Sequence, residues 1–258
     1  MQAPLAQTNI VVRIGRFLHL FGLVLLGFGI LNFCFPFINQ DKRYDHIKRW
    51  SKKVMKSLNF TVIAKGSIPE DYGNLLVMAN HVSWLDIFAL NSEHAVCFVA
   101  KQEIRKWPML GRMVAQAGTV FINRNDRKDA VRISENVAKR LEEQRAVAVF
   151  PESTTTDGFS LLPLKAALFE SVLLSKGQIQ PLALLYYDEL GQRSTLPSYV
   201  GETSLFESLF VILKMRNAKV ELVFCDRVTP ESEDDRFTLC QKTQALLEAE
   251  IVKGLAKN

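Results

Sequence analysis

The sequence predicts an α/β fold, a mixed and mostly parallel sheet flanked by helices, preceded by an N-terminal membrane-associated helical segment. Three observations point there. From about residue 60, apolar runs of strand length alternate with amphipathic segments of helical length, the order that builds βα units. The longest central helical segment sets Ala130, Ile133, Val137 and Leu141 on one helical face. Ahead of residue 60 the composition changes to a long apolar run followed by a basic stretch. Residues 1–59 are accordingly read as membrane-anchoring helices and 60–258 as one folded domain. No internal repeat, low-complexity tract or further linker is visible.

Taken in order, Phe17 to Ile38 is apolar apart from His19 and Asn32, long enough for a helix to cross a hydrocarbon core. Gly22, Gly27 and Gly29 are poor choices in a soluble helix but tolerated in a membrane. Pro36 is expected to end or kink this helix. The run is longer than a signal-peptide core and has no clear small-residue cleavage site. It could span the bilayer or dip in and return. Lys42 to Phe60 then sets Lys42, Arg43, Lys48, Arg49, Lys52, Lys53 and Lys56 against Ile47, Trp50, Val54 and Leu58. That pattern suits a helix in the headgroup region of an anionic leaflet, or a solvated helix packed on the domain. Positive charge just after the apolar run puts the domain on the cytoplasmic side, with Arg13 and Arg16 pulling the other way.

Strands are expected at 60–64, 75–79, 95–100, 119–123, 146–150, 180–186 and 219–225, each a short apolar run. Helices are expected at 84–90, 108–115, 127–143, 165–175, 205–214 and 234–253.

Charge and cysteine content narrow the class. The net charge is +5 and the hydrophobic content 48%, with a pI near 9.0 and a mean hydropathy of +0.06. Such a balance suits nucleic acid or an anionic membrane surface. No nucleic-acid module or basic groove with stacking aromatics is legible, so the membrane is the expected partner and nucleic acid is not. Cys34, Cys97, Cys225 and Cys240 are scattered without metal-ligand spacing, as reduced thiols facing the cytosol would be. No metal is expected.

The chemistry centres on Asn80-His81-Val82-Ser83-Trp84-Leu85-Asp86, which joins an apolar run to a helix start. A turn there can fold the Asp86 carboxylate onto one nitrogen of His81, leaving the other as a general base near neutral pH. A polar helix cap with a satisfied histidine fits the same residues. His81, Lys101, Arg124 and Glu152 each follow a predicted strand, and loops at the carboxyl ends of strands converge on one crevice. Ser153 with His81 as its base would be a hydrolase, but neither G-x-S-x-G nor a strand-to-helix elbow is legible. His19, His46 and His94 lack an acidic partner at such spacing and read as interfacial or surface residues. A catalytically silent membrane-binding protein is the third class.

Four blocks in order resemble the glycerolipid acyltransferases typified by 1-acyl-glycerol-3-phosphate acyltransferase. They are Asn80-His81 to Asp86, Gly118-Thr-Val-Phe121-Ile122-Asn-Arg124, Phe150-Pro151-Glu152-Ser153-Thr154 and Gln180-Pro181-Leu-Ala-Leu184. The likeness covers about residues 60–225 and implies an acyltransferase domain. It departs at Ser153, where the family has Gly, and at Thr155, where it often has Arg. The resemblance makes His81 the base that takes a proton from an acceptor hydroxyl, oriented by Asp86. It makes Arg124 the phosphate ligand, although an ion pair with Asp126 or Asp129 would also suit that arginine. Glu152 would accept from acceptor hydroxyls or hold its loop, with Ser153 and Thr154 in the same substrate-binding turn. Lys101 would add charge for phosphate or sit solvated, and Gly118 would make a tight turn. The lipid A branch carries Glu where Asp86 stands. The implied reaction moves a fatty acyl group from acyl-CoA or acyl carrier protein to the sn-2 hydroxyl of 1-acyl-glycerol-3-phosphate, with no bound cofactor. A lyso-ornithine-type acceptor is the alternative, since Thr155, Asp157 and Gly158 resemble acyltransferases of that kind. Asp157 would favour a cationic headgroup if it faced the cleft, or would simply build a turn.

Overall fold

Along Leu75–Ala79 every residue is buried. Leu75, Val77 and Ala79 enter one core, and Leu76 and Met78 the other. That alternation makes three layers, because a strand buried on both faces needs helices on both sides. The computed structural model describes residues 6–107, 110–122 and 127–256. Its strands are β1 (Phe60–Gly66), β2 (Leu75–Ala79), β3 (Cys97–Lys101), β4 (Val120–Ile122), β5 (Val147–Val149), β6 (Gln178–Tyr187) and β7 (Ala218–Phe224). The sheet order is β1-β7-β6-β2-β5-β3-β4. All neighbours are parallel except β6 and β7, so the expected mixed, mostly parallel sheet is present.

The helices are α1 (Ile10–Phe33), α2 (Gln40–Ser57), α3 (Leu85–Glu93), α4 (Leu110–Gln116), α5 (Arg127–Glu142), α6 (Glu170–Ser175), α7 (Leu205–Lys214) and α8 (Arg236–Leu255). Leu23 of α1, Val54 and Met55 of α2, Leu85 of α3 and Ile212 of α7 close one core. Ile133, Val137 and Leu141 of α5, Val172 of α6 and Leu247 of α8 close the other.

Three elements differ from the sequence expectation. Helix α1 starts at Ile10, well before Phe17. The Asn9 side chain caps it by accepting from the amide of Val12. Arg13 and Arg16, which interrupt the apolar run, reach sideways to backbone carbonyls: Arg13 Nε donates to Thr8 and Arg16 Nη1 to Met215 at 2.6 Å. Pro36 sits in a separate 3₁₀ turn, Phe35–Phe37, beyond the end of α1. The stretch 165–175 is broken, with a 3₁₀ turn at Ala166–Phe169 ahead of the short α6. Lys101 ends strand β3, where it was expected just beyond it.

Helix α2 spends its apolar side inside the fold. Val54, Met55 and Leu58 are buried, and Trp50 Nε1 donates to the Leu23 carbonyl of α1 at 2.7 Å. Lys42, Arg49, Lys52, Lys53 and Lys56 remain exposed on its other face. Pro181 lies in the interior strand β6, where its missing N–H would break a rung. The Cys225 carbonyl across the pair accepts instead from Gln180 Nε2 at 2.7 Å.

Candidate active site

Because β2, β3, β4, β5 and β6 run the same way, the segments that follow them open at one edge of the sheet. Just past β2, Asn80 continues the pairing with β6 through its side chain. Its Oδ1 accepts from the Leu184 amide at 2.7 Å and its Nδ2 donates to the Leu184 carbonyl at 3.1 Å. The amide is fully buried, so this reciprocal pair fixes where the chain leaves the sheet.

His81 follows, and its backbone is held from both ends of the peptide. Its N–H donates to Glu152 Oε1 at 2.7 Å, and its carbonyl accepts from the Thr156 amide at 2.8 Å. The imidazole stacks on Phe150, with centroids 4.0 Å apart and planes 10° from parallel. His81 Nδ1 lies 2.7 Å from Asp86 Oδ2, and the imidazole keeps 22% of its surface while Asp86 keeps none. The same oxygen accepts from the amides of Val82 and Ser83 at 2.8 and 2.9 Å. Asp86 Oδ1 accepts from the Tyr186 hydroxyl at 2.6 Å. The hydrogen-bond network assigns the proton to Nδ1, because a carboxylate only accepts. Nε2 then carries the free lone pair, and it makes no hydrogen bond among the described residues.

Two electrostatic shifts fit this arrangement. Burial first, then the neighbouring Asp86 charge, holds the Tyr186 phenol well above its ordinary value, so it remains a donor. Burial raises Glu152, against the pull of the Leu162 and His81 amides that bond its two oxygens. Among the described residues no three His, Cys, Asp or Glu side chains gather as a metal set.

The other expected site residues separate into classes. Glu152 is 3% exposed, with Oε1 on His81 N–H and Oε2 on Leu162 N–H at 2.9 Å. It holds the loop; its oxygens are spent on backbone. Ser153 sits in a turn at φ 67°, the left-handed region, with its amide on the Phe150 carbonyl. Glycine reaches that conformation without strain, which accounts for the family residue there. The chain beyond β5 stays in a loop as far as Ala166, so no nucleophile elbow forms around Ser153. Thr154 is exposed in the same turn, and Thr155 Oγ1 donates to the Tyr199 carbonyl. Asp157 is exposed and caps its own turn, with Oδ1 accepting from the Phe159 amide at 2.9 Å. Gly118 makes a turn at φ 90° behind Cys97, away from the dyad's loop. Lys101 is exposed at the end of β3. Arg124, with Asp126, lies outside the described residues, as does the Asp129 side chain. His94, expected at the surface, is half-buried and stacked 3.7 Å from Tyr72; burial, then Lys48, lowers it to about 4.

Sequence reasoning missed Tyr186. A signal was present: it shares strand parity with Leu182 and Leu184 and carries a hydroxyl on that buried face. The role of Asn80 was missed as well, because side-chain pairing to a strand leaves no mark on periodicity.

A family model described as Acyltransferase matches residues 59–185. The 1-acyl-sn-glycerol-3-phosphate acyltransferase of Neisseria gonorrhoeae is 42% identical over 181 residues, 70% of this chain and 71% of that protein. The lyso-ornithine lipid O-acyltransferase of Pseudomonas aeruginosa is 30% identical over 246 residues, 93% and 92% of the two chains. The crystal structure of the 1-acyl-sn-glycerophosphate (LPA) acyltransferase PlsC from Thermotoga maritima is 19% identical. It superposes with a TM-score of 0.73 over 95% of each chain, which shows a shared fold. With its dyad in place and relatives at that identity and coverage, the chain belongs to the glycerolipid acyltransferase family typified by 1-acyl-sn-glycerol-3-phosphate acyltransferase, and is an O-acyltransferase.

Proposed function

We propose that this protein acylates the sn-2 hydroxyl of 1-acyl-glycerol-3-phosphate, using a fatty acyl thioester of coenzyme A or acyl carrier protein as donor. The observation that carries the mechanism is the 2.7 Å contact between His81 Nδ1 and Asp86, which leaves Nε2 as base. Nε2 takes the proton of the acceptor hydroxyl as its oxygen attacks the thioester carbonyl. The tetrahedral intermediate collapses, the C–S bond breaks, and the leaving thiolate takes the proton back from the imidazolium. The products are the new ester and the free thiol, so His81 returns to its starting state. Asp86 holds the tautomer and faces the imidazolium that forms. Such a pair contributes about 10²–10⁴ in rate. The turn amides of Thr154 and Thr155 make no hydrogen bond among the described residues and are candidate donors to the oxyanion. Arg124 would bind the acceptor phosphate through its fork.

The acceptor is supported by the Neisseria relatives at 40–42% identity. A lyso-ornithine acceptor is supported by the Pseudomonas relative, which matches 93% of this chain. Purified enzyme in liposomes, given each acceptor with acyl-CoA or acyl carrier protein and read by mass spectrometry, decides between them. A kcat/KM for lyso-ornithine lipid well above that for lysophosphatidic acid, unchanged in Arg124→Ala, would overturn the phosphate reading.

Membrane association belongs to the same proposal. Within Ile10–Phe37 an 18-residue stretch has a mean hydropathy of 2.1, and 22% of that stretch is buried. Ile10, Val11, Ile14, Leu18, Phe21, Leu25 and Leu26 face outward. The start of α1 is also tied to the domain, through Thr8 just ahead of it to Lys214 and Arg16 to Met215, and its middle to α2 through Leu23 and Trp50. A helix fastened that way to a polar domain supports lying within one leaflet over crossing the bilayer, with the α2 lysines at anionic headgroups and the domain in the cytoplasm.

A further inference from the structure

We infer that Tyr186 is a positioning residue for the acid–base pair: its hydroxyl fixes the Asp86 carboxylate and sets how strongly that carboxylate holds a proton on His81. The inference deepens the acyl-transfer reading and rests on it.

The geometry is specific. Asp86 Oδ2 already serves three donors, the His81 ring and the amides of Val82 and Ser83. Its second oxygen has the Tyr186 hydroxyl at 2.6 Å, and both residues are buried, at 0% and 1% exposure. With no water-accessible surface there, Oδ1 depends on the phenol for a donor. Tyr186 is itself fixed by strand parity, which aims it with Leu182 and Leu184 at the α3 side of the sheet. An edge-on contact with Phe60, centroids 6.1 Å apart, holds the ring.

The hydroxyl acts on the carboxylate in two ways. It stops the carboxylate rotating to share its three other donors between both oxygens, which would loosen the imidazole. It also draws negative charge away from Asp86, so the carboxylate stabilises the imidazolium less than it would alone. Among the described residues, the charged or titratable groups around His81 are Asp86 on α3, Tyr186 on β6 and Glu152 after β5. Glu152 has both oxygens on backbone amides, so its contribution is the same with or without the phenol.

Removing the hydroxyl in Tyr186→Phe should lower kcat about tenfold, as expected for a lost hydrogen bond to a charged group, while the KM for the acceptor stays within about twofold. The acid limb of kcat/KM should move to higher pH. A residue that only packs would lower thermal stability and leave the limb in place. An unmoved limb therefore overturns the proposal. If Tyr186→Phe does not fold, 3-fluorotyrosine at position 186, a stronger donor, should move the limb to lower pH; no movement overturns it equally. His81→Ala in the same assay separates the two readings. Retained turnover there sinks the acid–base mechanism, whereas a dead His81→Ala beside an unmoved Tyr186→Phe limb sinks only the role of the phenol.

Discussion

Glu152 Oε1 accepts from the backbone amide of His81 at 2.7 Å, while the carbonyl of the same residue accepts from Thr156 at 2.8 Å. The two motif loops are thus laced through the peptide of the histidine itself, and Glu152 acts on His81 through its backbone. Glu152→Gln turns one acceptor oxygen into an NH₂ facing a buried N–H. It should lower the unfolding free energy by about 1–3 kcal/mol and cut kcat at least tenfold, with both losses in one variant. Denaturant unfolding beside steady-state kinetics checks it. A variant with full stability and an altered KM alone would return Glu152 to the substrate.

On the proposed mechanism, removing the His81 imidazole should affect turnover without unfolding the protein. His81→Ala is expected to lower kcat by about 10²–10⁴ with acceptor binding retained, because it acts on the proton transfer. Asp86→Asn should also lower kcat, since a neutral amide does not stabilise the imidazolium that forms on the proposed mechanism. Acceptor binding by calorimetry, set against kcat, checks both.

The stack of His94 on Tyr72 predicts a pH-dependent stability. The folded value lies at about 4, below the usual 6.5, so the protein holds His94 neutral where the unfolded chain protonates it. Its contribution is therefore complete above pH 6.5 and is lost progressively as pH falls toward 4. His94→Phe keeps the ring stack and removes the titration. Its unfolding midpoint should decline less than that of the parent over that interval, as urea melts from pH 7 to 4 would show.

Fastening of α1 along the domain predicts a one-sided topology. Cys34 is exposed near its end, while Cys97, Cys225 and Cys240 are buried. A cysteine introduced at Ala6, before its start, gives a second handle. In sealed vesicles, both Cys34 and Ala6→Cys should react with an impermeant maleimide from the same side. Labelling from opposite sides would mean that the helix crosses.

The sheet was legible because both-face burial writes continuous apolar runs: strand β2, Leu75–Ala79, has the ends read from the sequence, and so does helix α7, Leu205–Lys214, from its helical period. The start of α1 was not, since Arg13 and Arg16 look like an end to an apolar run when their carbonyl partners at Thr8 and Met215 are unknown. The 165–175 stretch carries a helical pattern that tertiary packing splits, with Phe169 driven into the core. Within the site, local spacing sufficed for His81 and Asp86, five residues apart on one turn. It could not reveal Tyr186 or the Leu184 backbone, which come from a strand 100 or more positions away.

That separation bears on when the protein becomes competent during synthesis. Asn80 is locked by Leu184, and Asp86 is completed by Tyr186, yet β6 is made long after β2 has left the ribosome. A contact of such sequence separation closes late, because the intervening chain must be ordered first. A nascent chain stalled before residue 184 would carry the entire histidine motif with neither strand register nor carboxylate anchored. The His81–Asp86 pair is therefore complete only after the domain has closed around it.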